Sequence, residues 1–371
     1  MDFDFTPEQD ALRASVREAL AGLLPREDLR ALLEEPETFP AQVWSRFAEL
    51  GWTALLAPED AGGLGLGLVD MTVVLEETGK LPLPGPFFSS AVLATLAALR
   101  LGEQDLLTDL ASGARRGTVA LDEAGTAGDP LRAVRTRATR GPAGWSLDGL
   151  KPVVLDGAAA DWAIVVARDD SGLAGFLVEN PGATPVPGLD PTRAWSRLEL
   201  VSRPARRLNP EGDQTALWRR VCDDAAVMLC AELVGCCDAA VAQSADYAKS
   251  RVQFGRPIGS FQAVKHLAAD MVRDVTLARV ATHYAAWASD TDAPDREVAA
   301  AMAKSWVGEA AVHVTGEGIQ IHGGVGFTWD ADAHLFYKRA KANDLLLGRQ
   351  GWQRARVADL MLGPAPDLQP A

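Results

Sequence analysis

The succession of helical, strand-like and again helical patterns along the chain predicts an α+β multi-domain protein. It would have an N-terminal α-helical domain at 1–116, a middle antiparallel β domain at 117–205 and a C-terminal four-helix-bundle-like domain at 206–371. Three observations carry this. The first part has apolar residues at helical spacing, interrupted by the turn-like stretches "APEDAGGLGLGL" and "GKLPLPGPF". The middle part breaks into short apolar or alternating runs, among them "TVALDEAG", "GWSLDGLKPVVLDG" and "DWAIVVARDDSGLAGFLVEN", separated by Gly, Asp and Pro. The last part returns to long helical patterns after "RPARRLNPEGD".

Taken in order, Thr6-Pro7-Glu8-Gln9 reads as a helix start, with Thr6 as N-cap, Pro7 at the first helical position and Gln9 completing a capping box. Gly63, Gly65 and Gly67 mimic a fragment of a dinucleotide-binding loop, but no strand precedes them, which argues for a turn. In the C-terminal part, helices are expected from about Asp213 to Ser250, Phe261 to Asp290, Ala293 to Gln320 and Ala333 to Leu362, with a frayed tail after them. Asp292 and Pro294 mark the third start, with acidic residues in its first turn.

Composition narrows the function classes. With 371 residues, 48% of them hydrophobic and 23% charged, the chain has the balance of a folded protein able to bury two or three packed units. A net charge of −14 opposes general binding to nucleic acid or anionic membrane, since both require a basic surface. No apolar run is read as a spanning helix and "MDFDFTPEQD" lacks a basic, apolar leader, so a cytoplasmic location is expected. Cys222, Cys230, Cys236 and Cys237 fall on one helical pattern at spacings that match neither a zinc site nor a disulfide framework. They read as reduced small residues of a packing face, and no metal site is expected.

Two stretches stand out: "YAKSRVQFGRPIGSFQAVKH" and "IQIHGGVGFTWDADAHLFYKRAK". With the α–β–α order, they resemble the acyl-CoA dehydrogenase family over essentially the whole chain. The resemblance implies FAD as cofactor, an acyl-CoA substrate and a subunit contact across which these motifs bind the adenine-diphosphate half of a neighbour's flavin. The residue types suit that task. Arg251 offers planar, charge-assisted donors to a pyrophosphate, and Phe254 offers a flat apolar face. Gln262 and Gln320 supply neutral hydrogen bonds, while Gly323, Gly324 and Gly326 permit close backbone approach.

Elsewhere the chain departs from the family pattern. Counted from Gln320, the usual catalytic glutamate position holds Leu347, and the alternative base position on the helix before the Arg251 motif holds Ala225, next to Ala226 where many members carry an arginine. Neither side chain accepts a proton, so no catalytic residue is assigned. In "ALDEAGTAGD", Asp122 replaces a threonine and Gly128 a serine of the family segment. In "KPVVLDG", Val153 and Leu155 stand where an aromatic and a hydroxyl residue cover the flavin and bond its N5. The losses fall on a chain's own flavin and substrate site, whereas the residues donated to a neighbour remain. This resembles one kind of subunit in actinobacterial heteromeric α2β2 acyl-CoA dehydrogenases, which act on CoA thioesters of steroid side chains. It implies a second acyl-CoA dehydrogenase-like chain as partner.

Two other readings compete. In a self-sufficient dehydrogenase, Asp344 or Glu232 would serve as a displaced base, although each lies a turn or more from the usual position. In a non-enzymatic scaffold, the fold would persist without flavin or thioester. Glu232, on the apolar helix "VMLCAELVGCC", reads as a packed acid with an arginine partner, and Asp344 as helix surface. Asp223 and Asp224 read equally as acids near a substrate entrance or as a solvated helix start, His322 and His334 as structural, and Phe327 and Trp329 as core or subunit contact.

Overall fold

The structure is a computed structural model that describes residues 5–33, 39–123, 128–209 and 212–363. Thr6 caps α1 (Pro7–Leu23) as its sequence predicts: its hydroxyl accepts from the Gln9 amide, and the Gln9 side chain accepts from the Thr6 amide. Helices α2 (Arg26–Leu32), α3 (Ala41–Glu49) and α4 (Leu68–Gly79) follow. A π-helical stretch, Phe87–Ala94, then leads into α5 (Thr95–Leu101) and α6 (Gln104–Ala111). Gly63 and Gly67 serve packing: a Cβ on Gly63 would lie 1.9 Å from the Ala57 carbonyl oxygen, and one on Gly67 2.4 Å from Asp290 Oδ2. The Asp290 carboxylate accepts from the amides of Leu68 and Val69 at 2.8 and 3.0 Å, so the glycine loop is a capped helix start docked on the C-terminal bundle.

The middle strands are β1 (Gly117–Ala120), β2 (Arg137–Gly141), β3 (Gly144–Leu155), β4 (Trp162–Asp169), β5 (Gly172–Glu179), β6 (Thr184–Val186) and β7 (Trp195–Arg207). They differ from the all-antiparallel expectation in one respect. β1 runs parallel to β4, from Gly117 opposite Trp162 to Ala120 opposite Val165, and β2 touches β4 in parallel at Arg137 and Arg168. Because β4 also pairs with β5, the order β4–β2–β3–β7–β5 returns to β4 and the sheet closes on itself. Closure leaves a small inner core that includes Leu147, Val165, Phe176 and Leu198.

The C-terminal bundle consists of α7 (Thr215–Ser250), α8 (Gln262–Asp290), α9 (Arg296–His322), α10 (Ala333–Leu345) and α11 (Gln350–Leu362). A short hairpin of β8 (Val252–Gln253) and β9 (Arg256–Pro257) joins α7 to α8. By length and composition α7 is apolar enough to cross a membrane, contrary to the reading of the sequence. It is nonetheless the central helix of the bundle, with 78% of its most apolar stretch buried inside the protein. The single last helix expected from Ala333 to Leu362 is in fact two. The chain breaks at Leu346–Arg349, where Leu347 has φ +57° and Gly348 φ +92°.

α4 and α7 cross almost backbone to backbone. A Cβ on Gly235 would lie 2.0 Å from the Glu76 carbonyl oxygen, and one on Gly79 2.1 Å from that of Glu232. Gly235→Ala therefore destabilises the chain by about 3 kcal/mol, even though alanine is the better helix former by about 1 kcal/mol. Urea unfolding of the two proteins measures the difference, and a more stable variant would contradict the close crossing.

Candidate active site and cofactor surface

The two conspicuous motifs meet at one corner of the bundle. Toward its C-terminal end α7 lies against α9: a Cβ on Gly318 would be 3.3 Å from Ser244 Oγ, and the Tyr247 and His322 rings stack with centroids 4.5 Å apart. Just beyond, Arg251 leaves α7 and the hairpin turns at Phe254 and Gly255, with φ +52° and +78°. Both central residues of such a tight turn are left-handed, a conformation that suits Asn-Gly and is strained for phenylalanine. The ring is 91% exposed and meets Phe261 edge-on with centroids 6.1 Å apart. Gln262 opens α8, and Gln320 and Gly324 sit at the end of α9. Arg251, Phe254, Gln262, Gln320 and Gly324 are all exposed on this chain.

The three glycines of the second motif divide by role. Gly323 has φ +62°, and a Cβ on Gly326 would lie 2.9 Å from the Ile319 carbonyl oxygen, so both serve the local turn. A Cβ on Gly324 would meet nothing within 4 Å of its own chain. Its bareness is not demanded by this chain's packing, and it leaves room for a group from outside, as the cofactor reading requires.

Four of the positions that counting along the sequence assigns to base and ring contacts lie elsewhere, on one cavity of about 20 Å³. Its wall includes Asp122, Val153, Leu155 and Leu347, with Trp218, Val221, Cys222 and Leu229 from α7. Ala225 is fully buried in α7 within a turn of Val221 and Cys222. The cavity has room for about one water molecule. Among the described residues Asp122 is the one carboxylate on its wall, and it also borders a neighbouring, mostly apolar groove of about 330 Å³ between β3, the 186–195 loop and α10.

The electrostatics of Asp122 depend on a cluster that sequence reasoning missed. Lys151 is fully buried in β3, and its Nζ donates to Glu123 Oε1 at 2.6 Å and to the Leu121 carbonyl oxygen at 3.1 Å. Glu123 also accepts from the amides of Arg135 and Thr136 and from the Thr136 hydroxyl. Burial pushes the Lys151 ammonium down to about 8, against the pull of Glu123. Burial likewise acts on Glu123, but Lys151 and Thr136 outweigh it and hold that carboxyl below its ordinary range. Asp122 lacks such donors, and burial pushes it up to about 6, with Lys151 opposing.

The two candidate displaced bases differ: Glu232 is held by three donors, whereas Asp344 Oδ1 is buried without a hydrogen-bond partner. Glu232 accepts from Arg339 Nη1 and Asn343 Nδ2 at 2.6 Å each and from Arg193 Nη2, the structural role its sequence setting predicts. Asp344 is buried, not surface as expected, and it borders an open groove with Arg349 and Trp352, not the cavity of Leu347. Asp223 and Asp224 are also buried rather than solvated: Asp223 pairs with Arg356, and Asp224 with Arg100 and Arg220. His322 Nδ1 lies 2.7 Å from the Gly318 carbonyl oxygen, and the buried His334 ring packs edge-on to Trp329, so both are structural. Phe327 and Trp329 are 73% and 60% exposed, which excludes a core role in this chain. All four cysteines are buried and unpaired, and burial pushes their thiols well above the ordinary range. Among the described residues no cluster of metal-ligating side chains occurs.

Residues 6–113 match the acyl-CoA dehydrogenase N-terminal domain and residues 218–362 the C-terminal domain. The acyl-CoA dehydrogenase IpdE2 of Mycolicibacterium smegmatis is 34% identical over 350 residues, covering 93% of this chain and 97% of its own. Among solved structures, a steroid acyl-CoA dehydrogenase, the Tcur3481–Tcur3483 G363A variant, aligns with a TM-score of 0.87 at 33% identity over 96% of this chain and 98% of that one. The ChsE4–ChsE5 complex of Mycobacterium tuberculosis aligns with a TM-score of 0.88 at 30% identity over 98% of this chain and 100% of that one. The chain belongs to the acyl-CoA dehydrogenase family, whose members are flavin-dependent oxidoreductases with FAD as cofactor.

Two variants test this geometry. A carboxyl whose pKa rises from 3.8 to about 6 on folding contributes fully below pH 4 and loses that contribution as pH climbs to about 6. Asp122→Asn removes the loss: at pH 7 it is more stable than the parent by about 1–2 kcal/mol, discounted for water at the cavity mouth. Thermal unfolding at pH 4 and pH 7 should show the gap only at the higher pH. Phe254→Asn relieves the turn and raises the stability of the isolated chain by about 1 kcal/mol. A destabilised Asn variant would mean that the phenylalanine serves this chain's own fold.

Proposed function

We propose that this chain is one subunit of a hetero-oligomeric, FAD-dependent acyl-CoA dehydrogenase that introduces an α,β double bond into a CoA thioester. It contributes the exposed corner of Arg251, Phe254, Gln262, Gln320 and Gly324 to a flavin site whose base and ring contacts come from a second acyl-CoA dehydrogenase-like chain. Held at that shared site, FAD would supply the acceptor for the β-hydride of the thioester. Arg251 supplies charge-assisted donors for a pyrophosphate, Phe254 an apolar face, and the two glutamines neutral hydrogen bonds. Gly324 leaves room for close approach. CoA thioesters of steroid side chains are the favoured substrate class, by similarity to the steroid acyl-CoA dehydrogenase structure and to IpdE2.

One observation carries this reading. The donor residues stand exposed around a turn that is strained in a way the chain itself does not need. Its own cavity holds about 20 Å³ and is lined by Leu347, and Ala225 is buried in α7 nearby. A proton acceptor must come within about 3 Å of the proton it removes, and Glu232 is held by three partners in a network of its own.

The decisive experiment compares this chain purified alone with the same chain coexpressed with an acyl-CoA dehydrogenase encoded beside it. Flavin and thioester oxidation are expected only in the mixture, at about one flavin per pair of chains. Arg251→Ala in this chain should reduce flavin retention by the mixture at least about tenfold, the loss of one charge-assisted pair. Stoichiometric flavin and turnover by the chain alone would overturn the proposal.

A further inference from the structure

The two glutamines of the exposed corner belong to a longer surface. On α8, Gln262, Ala269 and Thr276 recur every seven residues, and on α9 Trp306, His313 and Gln320 do the same; all six are exposed. Residues seven apart differ by only about 20° around a helix, so each glutamine shares a face with the exposed residues further along its helix. Asp274 Oδ2 lies 3.0 Å from His313 Nδ1, and the Tyr284 hydroxyl donates to Asp295 at 2.5 Å, which pins α8 and α9 side by side and antiparallel.

Large apolar side chains stand out on this surface. Val272 and Leu277 of α8 are 51% and 48% exposed, and Met302 and Trp306 of α9 are 51% and 41% exposed. Leu277 is one turn beyond Asp274 and Trp306 two turns before His313, so the two lie within about one turn of each other along the pair. A single exposed leucine is ordinary on any protein surface. Four such side chains on two packed helices, a tryptophan among them, form a patch that calls for an occupant. The charges at its edge are matched inside the chain: Arg273 pairs with Asp270 and Asp274 at 2.8 Å, and Glu309 with Arg354. An apolar centre inside a polar rim is the anatomy of a protein interface.

We propose that this α8–α9 face docks the second acyl-CoA dehydrogenase-like chain, the same chain that receives the corner at Arg251. The inference rests on the reading of that corner, because the occupant follows from continuity. A chain close enough to share a flavin with Gln262 and Gln320 extends along the face on which both glutamines lie. The five corner residues alone are far fewer than the about 20–30 residues a side that a specific interface uses, and the face supplies more. Trp306 is its aromatic anchor, with Met302, Leu277 and Val272 around it. The matching surface of the partner is apolar and uncharged.

Coexpression of the full chain with its partner, read by size-exclusion chromatography with light scattering and by flavin absorbance, tests this. Leu277→Asp and Met302→Asp each place a carboxylate in the patch and should weaken association at least about thirtyfold. Because both side chains are half exposed, each variant alone should keep the parent's Tm to within about 2 °C. Should either unfold, Val272→Asp takes its place. Arg251→Ala, by contrast, should lose flavin while the pair stays together. A pair that these aspartates break but that never holds flavin would support the docking face and remove the flavin reading, so the two fail separately. Undiminished pairing in the aspartate variants would overturn the proposal. So would variants that break self-association of this chain and leave the mixed pair intact, since the face would then belong to a second copy.

Discussion

The arrangement of the three parts depends on one buried guanidinium. Arg339, fully enclosed, donates to Asp190 Oδ2 and Glu232 Oε1 at 2.6 Å each, and to the carbonyl oxygens of Leu83 and Thr192 at 3.0 Å. Those acceptors lie in the N-terminal helical part, the middle part and α7, so one side chain joins all three. Burial works against the charge, but Asp190 and Glu232 outweigh it and hold Arg339 above its ordinary range. Arg193 adds a second cation, bonding Glu232 and Asn343 and lying over the Phe88 ring at 5.1 Å. Two cations then face two carboxylates, and removing any one leaves a buried charge uncompensated.

That lattice gives Glu232, an acid on the helix that carries the alternative base position, three donors to hold it. Its oxygens are saturated by donors that also position Phe88, a wall of the small cavity. The cavity is closed from the other side by the bend at Leu346–Arg349. The left-handed conformation of Leu347 costs about 1 kcal/mol, and it is sustained locally: Gln353 Nε2 donates to the Leu347 carbonyl oxygen at 3.1 Å while both leucine side chains are buried. The bend that would aim a base into the cavity is present, and the residue on it fills the space instead.

Much of this was legible in the chain. The capping box at Thr6, the helical character of the first part, the helices α7, α8 and α9, and the strand runs follow from local chemistry, because caps, glycine turns and apolar periodicity are short-range signals. The break inside the last helix was not, since three leucines before Gly348 continue a helical pattern and only tertiary packing selects the left-handed residue. The parallel pairing of β1 was equally hidden, because register between distant strands leaves no trace in either strand's own alternation. Among the polar groups, Glu232 announced a partner by standing alone on an apolar helix, whereas Lys151 looked like any strand lysine. Asp344 was misread because burial on α10 is set by α9, with Lys304 Nζ reaching the Asp344 carbonyl oxygen at 3.2 Å.

The two halves of the family's site obey different constraints. A cavity inside one chain is part of that chain's core, and filling it with leucine, valine or alanine improves packing there. An exposed corner gains little for its own chain, an edge-on ring contact with Phe261 apart, from a strained, outward phenylalanine or from a glycine where a side chain would fit. Such features persist against the folding preference of the isolated chain only if something outside it uses them. The closed interior and the strained exterior of this subunit thus point the same way. Both fit the proposed role, in which the corner at Arg251 and Phe254 completes a flavin site across an interface with another chain.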